Sequence, residues 1–126
     1  MKTIGSLCLP VVSAAALGAT AGVLNLTQLL GAHPFWDEQV IWIGIPPGIA
    51  LAVSLWWADI ARTWRVVFPA VGLFGAGLAT HLGKMRFAAS FAEDRLAGHA
   101  WYFGWIAVAG FAAMLSVGLL MARRGA

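Results

Sequence analysis

The amino-acid sequence predicts an all-α integral membrane protein, folded as a bundle of four transmembrane helices. Of its 126 residues, 61% are hydrophobic and 10% are charged, whereas soluble domains average about 45–50% apolar and about 25% charged residues. The apolar residues form four long segments, and at about 20 residues per span these segments occupy most of the chain. Residues 1–126 are therefore interpreted as a single transmembrane domain.

The first predicted span covers residues 4–30. It contains Gly18 and Gly22, and small residues four positions apart allow two transmembrane helices to approach closely. Lys2 followed by an apolar run that includes the alanines 14–16 resembles a secretory signal. The apolar run continues well past the length of such a signal, so we interpret it as a retained span.

The second predicted span, residues 40–61, carries Pro46 and Pro47 between Gly44 and Gly48. Proline lacks the N–H that a helix needs, and it moves the preceding residue out of helical geometry. The sequence therefore predicts a helix break at Pro46 and Pro47. Lipid tolerates irregular backbone only where protein covers it or where it faces a water-filled cavity. The favoured interpretation is a kink packed against span one or three, and the alternative is a site at this end of span two.

The third and fourth predicted spans cover residues 66–82 and 101–121. In span three, Gly72 with Ala76 and Gly75 with Ala79 repeat the spacing of small residues found in span one. These faces either seal the bundle or dock it on another subunit, and the sequence leaves both alternatives open.

Between spans three and four, residues 84–96 mix apolar and charged side chains. This pattern predicts a short interfacial amphipathic helix. The alternative is that span three continues as a helix beyond the bilayer.

Basic residues predict the orientation of the chain. If the N terminus lies inside, the cytoplasmic loops and ends carry five of the eight Lys and Arg residues, namely Lys2, Arg62, Arg65, Arg123 and Arg124. This excess favours an N-in, C-in topology, and the expected location is a bacterial inner (plasma) membrane. Membrane anchoring also accounts for the pI near 9.8, so no nucleic-acid binding is predicted.

With this topology, all three histidines and four of the five acids lie on the outer side. The outer polar residues are Asn25, Gln28, His33, Asp37, Glu38, His81, Glu93, Asp94 and His99. His81 and His99 end one span and begin the next. Together with His33 and Met85 they are candidate ligands for a transition metal or haem, because imidazole suits Zn, Cu or Fe and a thioether favours Cu(I). The alternatives are ordinary loop polarity, or the mouth of a proton, ion or quinone pathway.

The residues inside the spans exclude several classes of function. No span carries an ionisable residue at mid-depth, which argues against a proton- or cation-coupled transporter working alone. The serines lack a GxSxG context, so no catalytic residue is predicted. The single Cys8 excludes an intrachain disulfide.

The favoured function is a non-catalytic accessory or assembly subunit of a larger membrane complex, such as an energy-converting one. The expected partners are membrane lipid and either other membrane subunits or further copies of this chain. The alternatives are a metal- or haem-binding redox protein and a small homo-oligomeric channel or transporter.

Overall fold

The computed structural model describes residues 5–123, and of residues 122 and 123 only the backbone. Ile4, Lys2 and Arg124, which entered the span and orientation predictions, lie outside the described residues. The described chain is all-helical, with α1 Gly5–Val23, α2 Leu26–Leu29, α3 Asp37–Trp57, α4 Arg62–Ala89 and α5 Arg95–Arg123. Four of these helices, all except α2, are long and apolar enough to cross a membrane. The fold is therefore that of an integral membrane protein.

Helix α1 ends earlier than the sequence predicted. It stops at Val23, and Asn25 adopts a left-handed conformation with φ 55° and ψ 37°, which a right-handed helix cannot continue through. Asparagine tolerates this conformation better than most residues. The short helix α2 follows, so the prediction of one uninterrupted span over residues 4–30 is wrong.

Helix α3 contains both prolines without interruption. It is helical from Asp37 to Trp57 with Pro46 and Pro47 inside it, so the predicted helix break is wrong. The proline ring fixes φ near a helical value, and both rings lie on the exposed side of the helix while Gly44 and Gly48 are buried. The prolines therefore remove two N–H donors and do not end the helix.

Helix α4 continues through the segment for which a separate amphipathic helix was predicted. It runs from Arg62 to Ala89, and α5 begins at Arg95. Only residues 90–94 connect them, with Phe91 and Ala92 at positive φ (56° and 67°). The separate interfacial helix is therefore wrong, and the mixed pattern of residues 84–96 belongs to the ends of α4 and α5.

Helix α5 is the centre of the structure. It packs against α1, α3 and α4, whereas no close backbone contact joins α1 to α4. Glycines make these crossings close, because a Cβ on Gly118 would lie 2.6 Å from the carbonyl oxygen of Arg65, and a Cβ on Gly110 would lie 3.1 Å from that of Gly44. Helices α1 and α4 are therefore joined only through α5 and α3.

The predicted small-residue faces divide into two groups. Gly18 and Gly22 face isoleucines of α3, and Gly72 faces the ring of Phe111 on α5. In contrast, a Cβ on Gly75 would meet no atom within 4 Å, and Ala79 is exposed. Within the described chain, Gly18, Gly22 and Gly72 therefore pack internally, while Gly75 and Ala79 face outwards.

Candidate functional site

The predicted outer polar residues gather at one end of the molecule, here called the α2 end, where α2, residues 30–36 and residues 90–94 lie. Two cavities open at this end, and Trp101 lines both of them. We name them the His33 cavity and the Lys84 cavity.

Trp101 of α5 is hydrogen-bonded to two other parts of the α2 end, residue 31 and α4. Its side chain is only 9% exposed, and its Nε1–H donates a hydrogen bond to the carbonyl oxygen of Gly31 at 3.1 Å. Its own carbonyl accepts a hydrogen bond from the Thr80 hydroxyl of α4 at 2.6 Å. The sequence pattern does not reveal this junction, because the junction depends on contacts between distant segments.

The His33 cavity has a volume of about 530 Å³ and mixes polar and aromatic side chains. The polar members are His33, Gln39, Arg95 and His99, and the aromatic members are Phe35, Trp36, Phe87, Trp101 and Tyr102. His33 stacks on Trp36 with ring centroids 6.2 Å apart and meets the edge of Trp101 at 5.7 Å. Its Nδ1 accepts a hydrogen bond from the backbone N–H of Phe35 at 3.0 Å, so residues 33–36 form a compact aromatic corner.

The Lys84 cavity has a volume of about 510 Å³ and lies between α4 and the segment that follows α2, above α5. Its polar side chains are Thr80, His81 and Lys84, all from α4. The Lys84 ammonium lies 5.9 Å from the centre of the Trp101 ring, within the range of a cation–π contact. The Thr80 hydroxyl is bonded to the Trp101 carbonyl, so His81 and Lys84 supply the polar chemistry of this cavity.

The structure distributes the predicted metal ligands between the two cavities. His81 and Met85 line the Lys84 cavity, whereas His33 and His99 line the His33 cavity. His81 and His99, which the sequence placed opposite each other, therefore do not share a cavity. Among the described residues, no group of three or more His, Cys, Asp or Glu side chains is close enough to hold a metal ion.

Three of the remaining predicted polar residues have structural tasks. Asp37 is only 6% exposed and lies in the first turn of α3, where the helix dipole favours a negative charge; its Oδ2 has no hydrogen-bond partner in the described chain. Asp94 accepts a hydrogen bond from the N–H of Ala97 at 3.0 Å and so caps α5. Glu38 accepts one from Trp42 Nε1–H at 3.4 Å.

Three others, Asn25, Gln28 and Glu93, are exposed. Asn25 forms the left-handed turn between α1 and α2. Glu93 lies in the connection between α4 and α5, where its backbone N–H bonds to the Ser90 carbonyl at 3.3 Å. Their exposure assigns them to the surface of the α2 end.

A third cavity, the Ala112 cavity, continues from the Lys84 cavity along α5. It measures about 230 Å³ and shares Leu30, Trp105 and Val108 with the Lys84 cavity. Two of its hydroxyls are bonded internally, Thr27 to the Asp37 carbonyl and Ser116 to the Ala112 carbonyl, both at 2.8 Å. The two cavities adjoin at the three shared residues along α5, with α4 lining only the Lys84 cavity and α1 lining only the Ala112 cavity. Together they are here called the α1–α4 groove.

The helices define an apolar helical membrane protein, and they do not by themselves define a family. No family model matches the chain, and neither a curated protein nor a solved structure is significantly similar to it. The function is therefore argued from the geometry.

Proposed function

We propose that the protein is a non-catalytic accessory or assembly subunit of a larger membrane complex, and that it binds its partner through the outward face of α4. In this proposal the four long helices cross a bacterial inner membrane as a bundle. Both termini lie in the cytoplasm, which the excess of basic residues on that side supports.

The observation that carries the proposal is the outward pair Gly75 and Ala79. They lie one helical turn apart on α4, with open space beside Gly75 and with the exposed apolar side chains of Phe74 (76%) and Leu78 (50%) next to them. Two small residues at this spacing allow the backbone of another helix to approach closely and gain van der Waals contact. This face therefore suits a transmembrane helix of a partner.

The burial of α4 supports the same conclusion. In the most apolar stretch of 18 residues in α4, only 17% is buried within the chain, against 33% in the corresponding stretch of α3. A second helix seated on Gly75 and Ala79 would raise the burial of α4 towards that of α3. His81 and His99 line different cavities, which gives the redox alternative less support than a shared cavity would.

The proposal is tested by purifying the protein from its native membrane in mild detergent and identifying the proteins that co-purify. Gly75→Leu and Ala79→Leu place a large side chain in the contact, so each is expected to lose the partner that the wild type retains. Ala50→Leu is the matched control, because Ala50 is also an exposed helical alanine but lies on α3. A wild-type protein that purifies as a stable monomer with no partner would contradict the proposal.

A further inference from the structure

We propose that the α1–α4 groove binds one anionic phospholipid, with its phosphate at Lys84 and one acyl chain along α5. This inference rests on the membrane location proposed above, but it does not depend on docking through α4.

The shape of the groove fits an acyl chain. No close backbone contact joins α1 to α4, and the groove has α4 beside its Lys84 end and α1 beside its Ala112 end. Its floor follows α5 from Trp101 to Ser116, a distance of about 22 Å at about 1.5 Å per residue. One leaflet of a bilayer is about 15 Å thick, half of a core of about 30 Å, so the floor is long enough for a chain that enters from one leaflet.

The charge of the groove fits a phosphate. Lys84 and His81 lie at the α2 end, and no acidic residue lines either cavity of the groove. The Lys84 ammonium lies beside Gly31, where a Cβ would be 3.3 Å from it, and over the Trp101 ring. Within the described chain it has no hydrogen bond or ion pair, so its charge is available to an anion. A basic pocket between transmembrane helices can hold an anionic lipid headgroup, as such pockets do on the cytoplasmic side of other membrane proteins.

The polarity of the remaining groove suits an acyl chain. Transmembrane helices often associate through hydroxyls and other polar groups as well as small residues. Here the hydroxyls of Thr27, Thr80 and Ser116 are already bonded within the chain. The walls therefore present an apolar surface with one cation at its end, and this pattern matches an amphiphile with an anionic head.

Native mass spectrometry of the detergent-purified protein tests the proposal directly. Phosphatidylglycerol and phosphatidylcholine with identical acyl chains are titrated separately, and the bound fraction is measured. One lysine near a membrane surface contributes about 1 kcal/mol, so we expect the wild type to bind phosphatidylglycerol about fivefold more tightly. Lys84→Gln should abolish this preference, whereas Arg86→Gln should keep it, because Arg86 is an exposed cation of the same helix outside both cavities.

A second pair of variants tests the acyl-chain part of the groove. Ala112→Leu fills the Ala112 cavity and should weaken the binding of both lipids, whereas Ala50→Leu should leave both unchanged. Equal binding of the two lipids by the wild type would overturn the proposal, as would a preference that survives Lys84→Gln. A dimer that Ala112→Leu disrupts would also overturn it, since the groove would then hold a second copy.

Carbonate extraction tests the membrane location separately. A protein released by carbonate would refute both proposals, whereas a retained protein that fails the lipid test refutes only the lipid proposal.

Discussion

Helices α3 and α4 each carry two small residues four positions apart, but the two pairs have opposite surroundings. On α3, a Cβ on Gly48 would overlap the carbonyl oxygen of Gly110 and lie 2.8 Å from its Cα, and a Cβ on Gly44 would lie 2.8 Å from the Cβ of Ala109. On α4, a Cβ on Gly75 would meet nothing within 4 Å. The pair on α3 holds the chain together, whereas the pair on α4 is open to a partner.

The contrast shows how much a spacing of small residues predicts about helix packing. The spacing permits a close approach of two backbones, but it does not say which backbone approaches. On α3 the approaching helix is α5 of the same chain. On α4 no part of the described chain covers Gly75, and the covering surface must be supplied by lipid or by another protein.

The largest expected effect comes from placing a large side chain in the contact between α3 and α5. Gly48→Leu would force the two helices apart, because its side chain would overlap the backbone of Gly110. We expect a loss of about 3 kcal/mol in the free energy of unfolding, at the upper end for overpacked cores. Reversible unfolding in mixed micelles measures this loss, with Ala50→Leu on the exposed side of the same helix as the control. Equal losses in the two variants would contradict the α3–α5 packing described here.

A smaller effect is expected where α4 meets α5 at the α2 end. Thr80→Val removes the buried hydrogen bond to the Trp101 carbonyl with little change in shape, and we expect a loss of about 1 kcal/mol. Thr20→Val is the matched control, because the Thr20 hydroxyl bonds at 2.8 Å to the Ala16 carbonyl of its own helix and is exposed. The same unfolding measurement compares the two variants. A larger loss for Thr20→Val than for Thr80→Val would contradict a stabilising hydrogen bond between α4 and α5.

The smallest effect is expected from the prolines that are most conspicuous in the sequence. In the double variant Pro46→Ala/Pro47→Ala, two new N–H groups can bond to the carbonyls of Trp42 and Ile43, while the unfolded chain gains freedom. These two effects oppose each other, so we expect a change below about 1 kcal/mol.

Hydrogen exchange of the double variant sharpens this prediction. If α3 is continuous, as described, the new amides at positions 46 and 47 should exchange slowly, like their neighbours. Rapid exchange at both positions, with slow exchange on either side, would show that the helix is interrupted there after all.

The sequence predicted the helical class and four long apolar segments because composition and hydropathy report burial in lipid directly. It predicted the ends of the helices less well. The missing N–H of proline predicts a break at Pro46 and Pro47, but the φ of proline is compatible with a helix, and α3 continues through both residues. The turn at Asn25 and the continuation of α4 to Ala89 depend on backbone conformations that hydropathy does not report.

The candidate site was predicted only in part. The sequence placed the polar residues at one end because spans alternate in direction, and the structure groups His33 with His99 and His81 with Met85. It did not predict the contacts of Lys84 or Trp101. Both depend on how residue 31, α4 and α5 meet, which involves contacts between segments far apart in the chain.

The central claim is that Gly44 and Gly48 of α3 hold the fold, whereas Gly75 and Ala79 of α4 serve a partner. It is tested most directly by one unfolding titration of the isolated Gly48→Leu and Gly75→Leu variants. We predict that Gly48→Leu loses about 3 kcal/mol, whereas Gly75→Leu loses nothing and gains up to about 1 kcal/mol from its better helix propensity. Equal destabilisation of the two variants would show that Gly75 also packs within the chain and would contradict the claim.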